Sequence, residues 1–186
     1  ASAHKVYGPK GVGMLYLRRS NPRVKPSPVI HGGGHERGFR SGTLNVPGIV
    51  GFGKAVEIAR KEMKKENQHL ATLRDGLEAG LLSGISGAKV NGHPEKRLAH
   101  NLNIVLPGVD AEALMIALKE DVACSSGSAC TTAAVLPSHV LTALGLEESD
   151  IHSSLRFGLC RGQTAEDIER VIPSIAEKHG RLASFA

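Results

Sequence analysis

Three side chains in this sequence have the chemistry to act on a small molecule. Cys130 closes the run Val122-Ala123-Cys124-Ser125-Ser126-Gly127-Ser128-Ala129-Cys130. A thiol among small hydroxyl and glycine residues predicts an exposed loop that carries the sulfur to a reactant and away again, whereas a structural cysteine packs as a small hydrophobe in an apolar run. Lys5 stands between His4 and the stretch Val6-Tyr7-Gly8-Pro9-Lys10-Gly11, at a strand-to-turn junction. Taken alone it reads as a solvated surface charge. A lysine whose ammonium form is disfavoured by its site forms a Schiff base with a carbonyl instead. Arg156 lies in Ser154-Leu155-Arg156-Phe157-Gly158. It is either an edge residue facing water or a planar fork for a carboxylate.

Other motifs exclude more than they assign. His31-Gly32-Gly33-Gly34 is shared with the oxyanion segment of esterases, but no G-x-S-x-G elbow accompanies it, so a flexible loop is the better reading. No Gly-Lys-Ser or Gly-Lys-Thr occurs, which excludes a Walker A loop. The spacing of Cys124 and Cys130 fits no common zinc pattern, so no metal site is expected. Cys124 and Cys160 sit in strand-like apolar runs and read as core packing.

Hydrophobic periodicity outlines the elements that must position these groups. Gly11 to Arg19 alternates as a strand with both faces partly buried. A Pro-rich basic loop and the glycine-rich segment 31–38 follow as irregular chain. Pro47 to Leu82 reads as one long helix, with Leu70, Leu73, Leu77 and Leu81 on a single face. Its charged middle, Met63 to Asn67, is the expected domain boundary, giving segments 1–62 and 63–186. Lys89 to Gly92, Asn101 to Leu106 and Ser154 to Cys160 read as strands. Asp110 and Thr164 read as helix caps. Pro137 suits a first helical turn, and Pro173 is expected to kink or break the last helix. Mixed strands and helices predict an α/β or α+β fold.

The chain has 186 residues and only three cysteines, which do not make a disulfide framework. A reducing, cytoplasmic compartment is expected. No apolar run approaches the roughly 20 residues of a membrane span. The formal charge is +5, but the basic residues read as scattered and few aromatics could stack on bases, so nucleic acid is not the expected partner. The opening Ala1-Ser2-Ala3-His4-Lys5 reads like the middle of a longer protein.

Four blocks together resemble the cysteine desulfurases of the aminotransferase class V family. Ser2-Ala3-His4-Lys5-Val6-Tyr7-Gly8-Pro9-Lys10-Gly11 is similar to that family's cofactor-lysine segment. HGGGHERGFRSGT at 31–43, SSGSACTTAAVLPSHVL at 125–141 and HSSLRFGL at 152–159 resemble three further blocks, in the family's order. The subgroup resembled is the NifS/IscS type, with a long cysteine loop, rather than the SufS type. The resemblance implies the C-terminal portion of a fold-type I pyridoxal-phosphate transferase: the end of the large cofactor-binding domain, then an α+β small domain. It implies pyridoxal 5'-phosphate as cofactor, conversion of L-cysteine to L-alanine, and a homodimer. Sulfur would be held as a persulfide on Cys130 and passed to a scaffold or carrier protein for iron–sulfur cluster assembly.

By position, the resemblance makes Lys5 the Schiff-base lysine and Cys130 the sulfur acceptor, which is also a candidate transient iron–sulfur ligand. Ser2 and His4 match residues near the cofactor phosphate, and Thr43 the threonine that reaches the phosphate of the other subunit's site. Arg156 matches the arginine for the substrate carboxylate. The family's ring-stacking histidine, its aspartate at the pyridine nitrogen and its glutamine at the phenolic oxygen would precede Ala1, so this chain alone is expected to be inactive. The competing expectations are a non-catalytic persulfide relay or interaction module and a selenocysteine lyase on the same scaffold.

Overall fold

Two short runs, Asn101–Val105 and Ser154–Gly158, pair because each turns its apolar positions to one side. The computed structural model describes residues 1–126 and 137–185. These divide into two units, Ala1–Lys64 and Lys65–Ala186, with the division inside the long helix α1 (Val46–Gly84).

In the second unit, β1 (Lys89–Val90), β2 (Asn101–Val105) and β3 (Ser154–Gly158) form an antiparallel sheet in the order β1-β2-β3. Asn103 pairs with Arg156 and Leu102 with Phe157. Strand side chains alternate between faces. Leu102, Ile104, Leu155 and Phe157 therefore enter the core, and Asn101, Asn103 and Arg156 share the other face. The core is closed by α1, α2 (Ala111–Leu118) and α5 (Ala165–Ala183). Leu70, Leu73, Leu77 and Leu81 of α1 are each at most 5% exposed, as their spacing predicts.

Helix α5 lies close to α1 because glycine recurs there every fourth residue. A Cβ on Gly80 would stand 2.4 Å from Ile172 Cδ1, and one on Gly76 or Gly84 would touch Ile168 or Ala176. Asp110 caps α2, its carboxylate accepting from the Glu112 and Ala113 N–H groups. Thr164 and Asp167 form a reciprocal capping box at the start of α5, a device worth about 1 kcal/mol. Contrary to expectation, α5 runs unbroken past Pro173. A proline inside a helix costs about 3 kcal/mol. Burial of Ile168 and Ile175 on the same helix, at roughly 1.5–3 kcal/mol per large apolar side chain, offsets it. Two short helices, α3 (His139–Ala143) and α4 (Glu148–His152), precede β3. Pro137 lies before the Ser138 cap of α3 rather than in its first turn, and α4 has no counterpart in the sequence reading.

In the first unit, residues 1–14 fold back on themselves. Ser2 and Gly13 form an isolated bridge, the Ala3 N–H donates to the Val12 carbonyl and the Met14 N–H to that of Ala1. Gly13 is needed here, since a Cβ would lie 2.6 Å from the Ala1 carbonyl oxygen. The strand expected over Gly11–Arg19 is not formed beyond this bridge. Leu15 and Tyr16 are 76% and 78% exposed, so neither face is buried. A strand needs a partner along its length, and among the described residues only the first few come alongside. The segment from Ile30 to Ser41 is irregular, as its glycines predict. The buried Ser41 hydroxyl accepts from the Gly34 N–H at 3.2 Å, and the Ser41 N–H donates to the Ile30 carbonyl.

Candidate functional site

Lys5 sits in a 3-10 turn, Ala3–Val6, whose only buried residue is Ala3. Ser2, His4 and Lys5 are all exposed. The turn stops at Tyr7, which adopts the left-handed conformation with φ 61°, and the Gly8 N–H closes onto the Ala3 carbonyl at 2.9 Å. The Lys5 ammonium makes no ion pair or side-chain hydrogen bond among the described residues. One tight turn thus presents a primary amine, an imidazole and a hydroxyl. That donor set fits an aldehyde that also carries a phosphate: the amine suits the carbonyl carbon, and the imidazole and hydroxyl suit phosphate oxygens. Thr43 is exposed in the same unit, two residues beyond the buried Ser41.

Arg156 lies in the second unit, on the polar face of the sheet. It lines a cleft of about 410 Å³ together with Asn91, Asn103, Arg97, Ser126 and His139. None of the described lining residues is acidic. The guanidinium of Arg156 has no hydrogen-bond partner among the described residues, so its fork is available to an anion. The chain crosses this site once more: the Ser125 N–H donates to the Arg156 carbonyl at 3.1 Å, and the Arg156 N–H to the Ser125 carbonyl at 2.6 Å. The rim is held in place by Arg97, which pairs with Glu78 of α1 at 2.5 Å, and by Arg74, which donates to the Leu98 carbonyl at 3.1 Å. Sequence reasoning missed Arg97 and the asparagines. The repeat Asn101-Leu102-Asn103 was the available signal for a polar strand face.

Cys130, the expected sulfur acceptor, lies outside the described residues. Cys124 is half-buried against the core, and burial pushes its thiol pKa up. Cys160 corrects the sequence reading: it is exposed rather than packed in the core. Strand β3 stops at Gly158, and the turn from Cys160 to Gln163 carries the thiol out of the sheet, with the Cys160 N–H donating to Gln163 Oε1 at 2.7 Å. Iodoacetamide at neutral pH is therefore expected to label Cys160 at least about tenfold faster than Cys124, because only exposed thiolate reacts. The gap should narrow as pH rises toward the raised Cys124 pKa. Peptide mapping of the two sites over time checks this.

Basic residues are less scattered than the sequence reading held. Arg18, Arg19, Arg23, Lys25 and Arg37 line one groove of the first unit, about 580 Å³ in volume, with Glu36 as the one acid among its described lining residues. Among the described residues no group of three or more His, Cys, Asp or Glu side chains could hold a metal ion. No described helix is long and apolar enough to cross a membrane.

Residues 1–171 match the family described as aminotransferase class-V. A protein named cysteine desulfurase IscS from Anaeromyxobacter sp. (strain Fw109-5) is 55% identical over 185 residues, and one of the same name from Methylococcus capsulatus is 53% identical. Each alignment takes in all of this chain but 45% of the relative, so the chain spans a little under half the length of these curated relatives. Among solved structures, one described as a NifS-like protein superposes with a TM-score of 0.84 at 36% identity, covering 97% of this chain and 46% of its own. DndA from Streptomyces lividans gives 0.64 at 38% identity, covering 84% and 44%. The fold is the C-terminal portion of the fold-type I architecture. On the family match and these relatives, the chain belongs to the aminotransferase class-V family.

Proposed function

We propose that the protein containing this chain is a pyridoxal-phosphate-dependent cysteine desulfurase that converts L-cysteine to L-alanine and keeps the sulfur on Cys130. The observation that carries the reading is the pairing of Arg156 with Ser125. It fixes the start of the cysteine segment beside a guanidinium that has no partner among the described residues, in a cleft whose described lining holds no acid. Five peptide bonds separate Ser125 from Cys130. At about 3.3–3.6 Å per residue that tether reaches at most roughly 18 Å. A tether of that length is long enough for a thiol on Cys130 to reach a carboxylate on Arg156.

Each residue has a defined task. Arg156 binds the substrate carboxylate through parallel N–H donors, which sets the orientation of the rest of the molecule. Lys5 would hold the cofactor through Nζ, and that amine, once the substrate amine has displaced it, takes and returns the proton at the substrate α-carbon. Ser2 and His4 would donate to the cofactor phosphate, and Thr43 to the phosphate of the other subunit's site. When bound, pyridoxal phosphate supplies an electron sink for the α-carbon. The Cys130 thiolate attacks the substrate sulfur. The new S–S bond forms as the substrate C–S bond breaks, and the bonding pair stays on the β-carbon, which takes a proton to become the methyl of alanine.

The persulfide then passes to an acceptor thiol or to an iron–sulfur scaffold, where Cys130 would serve as a transient cluster ligand. The compartment would be the cytoplasm. The first unit is read as the end of the large domain in a homodimer, and its exposed Leu15, Tyr16 and Val29 suit burial against further chain. A single turnover of the full-length protein tests the reading. It is expected to yield one alanine per active site, with one sulfur atom added to Cys130.

A further inference from the structure

The polar face of the second unit's sheet carries a row of three side chains, of which the proposed reaction uses one. Val90 pairs with Ile104, so Asn91 comes next to Asn103, and the Asn91 N–H donates to the Asn103 carbonyl at 2.9 Å. Asn103 is in turn the register partner of Arg156. Directly opposed residues on one face hold their Cβ atoms about 5 Å apart. Asn91, Asn103 and Arg156 all line the same cleft.

Hydrogen bonding forces the orientation of both amides. The Asp150 carbonyl can only accept, so the buried Ser154 hydroxyl spends its single proton there, at 2.6 Å. Ser154 Oγ must then accept from Asn91 at 3.0 Å, which makes the Asn91 atom its amide nitrogen. The second proton of that nitrogen goes to Asn103 at 2.6 Å, so the receiving atom is Oδ1. The Nδ2 of Asn103 is left with two protons and no acceptor among the described residues. It cannot bond to the neighbouring guanidinium, because both groups only donate. Two adjacent donor groups in a cleft without a described acid suit the two oxygens of one carboxylate.

We propose that Asn103 is a second carboxylate-binding residue: its Nδ2 donates to the substrate carboxylate beside Arg156. Asn91 is the positioning residue that keeps the Asn103 carbonyl turned away from the ligand. The assignment rests on the desulfurase reading for the identity of the substrate.

The test uses the full-length holoprotein and two ligands, L-alanine, which has a carboxylate, and L-alaninamide, which lacks one, with Kd measured by calorimetry. Asn103→Ala is expected to weaken L-alanine about tenfold, the loss of one hydrogen bond to a charged group. Its affinity for L-alaninamide should stay within about twofold of wild type by the same reasoning. Asn103→Asp keeps the shape and still accepts from Asn91, so it preserves the fold while setting a negative charge against the ligand. It should weaken L-alanine further than Asn103→Ala does. Asn91→Ala should weaken L-alanine less than either, by freeing the amide to rotate.

Unchanged L-alanine affinity in Asn103→Ala and Asn103→Asp overturns the proposal. Equal weakening of both ligands also overturns it, because that is the mark of a structural role. Alanine production from cysteine with Asn103 variants unaffected leaves the reaction standing and removes this assignment alone. Asn103-dependent L-alanine binding in a protein that makes no alanine from cysteine does the reverse. A wild-type protein without L-alanine affinity removes the carboxylate site itself.

Discussion

Replacing Arg156 with Ala is expected to raise the KM for L-cysteine about a hundredfold in the full-length protein, with a smaller fall in kcat. The size follows from losing a bidentate charge pair in a cleft whose described lining offers no other arginine on the same strand face, close to 3 kcal/mol. Arg156→Lys keeps the charge but replaces the planar fork with a point donor, so it should recover part of the affinity and not all of it. Steady-state kinetics with L-cysteine checks both variants. The fold should be unaffected, because Arg156 faces the cleft while its neighbours Leu155 and Phe157 fill the core. A hundredfold loss in kcat at unchanged KM would instead place Arg156 in the chemical step.

Cys130→Ser is expected to abolish sulfur release from L-cysteine, by a factor on the order of a thousand or more, because the nucleophile itself is removed. Cofactor absorbance should remain, since none of the groups read as holding the cofactor lies near residue 130 in the chain. The same variant separates the competing readings. A selenocysteine lyase would keep its activity on selenocysteine without this thiol. A relay module without chemistry of its own would show no alanine in the wild-type protein. A desulfurase loses alanine and persulfide together.

Much of the second unit was legible because its signals are local. The spacing of Leu70, Leu73, Leu77 and Leu81 names a helix face, and Asp110 and Thr164 name helix starts through side chains that satisfy their own backbone. The errors lie where tertiary packing decides. Pro173 reads as a kink or a break until the buried isoleucines around it are counted. Cys160 reads as core until β3 is seen to stop two residues earlier. Gly11–Arg19 has the alternation of a strand, but alternation cannot supply a pairing partner. The glycines at 76, 80 and 84 carried a readable period of four, yet only the approach of α5 gives it meaning.

The candidate site divides in the same way. Lys5, Arg156 and Cys130 stood out by residue type and by flanking blocks. The row Asn91–Asn103–Arg156 did not, because its members come from two strands and the residue that follows a third, and Ser154 locks it from 63 residues along the chain. Antiparallel register brings such residues together, and register is set by which faces are buried rather than by any motif.

In the proposed reaction sulfur leaves L-cysteine and comes to rest on Cys130. The most direct measurement is peptide mass mapping after a single turnover of the full-length protein with L-cysteine, followed by alkylation. One added sulfur atom is expected on the Cys130 peptide, in step with one alanine formed, and none on the peptides of Cys124 or Cys160. Alanine formed with free sulfide and no sulfur on Cys130, or sulfur appearing first on another cysteine, would contradict it.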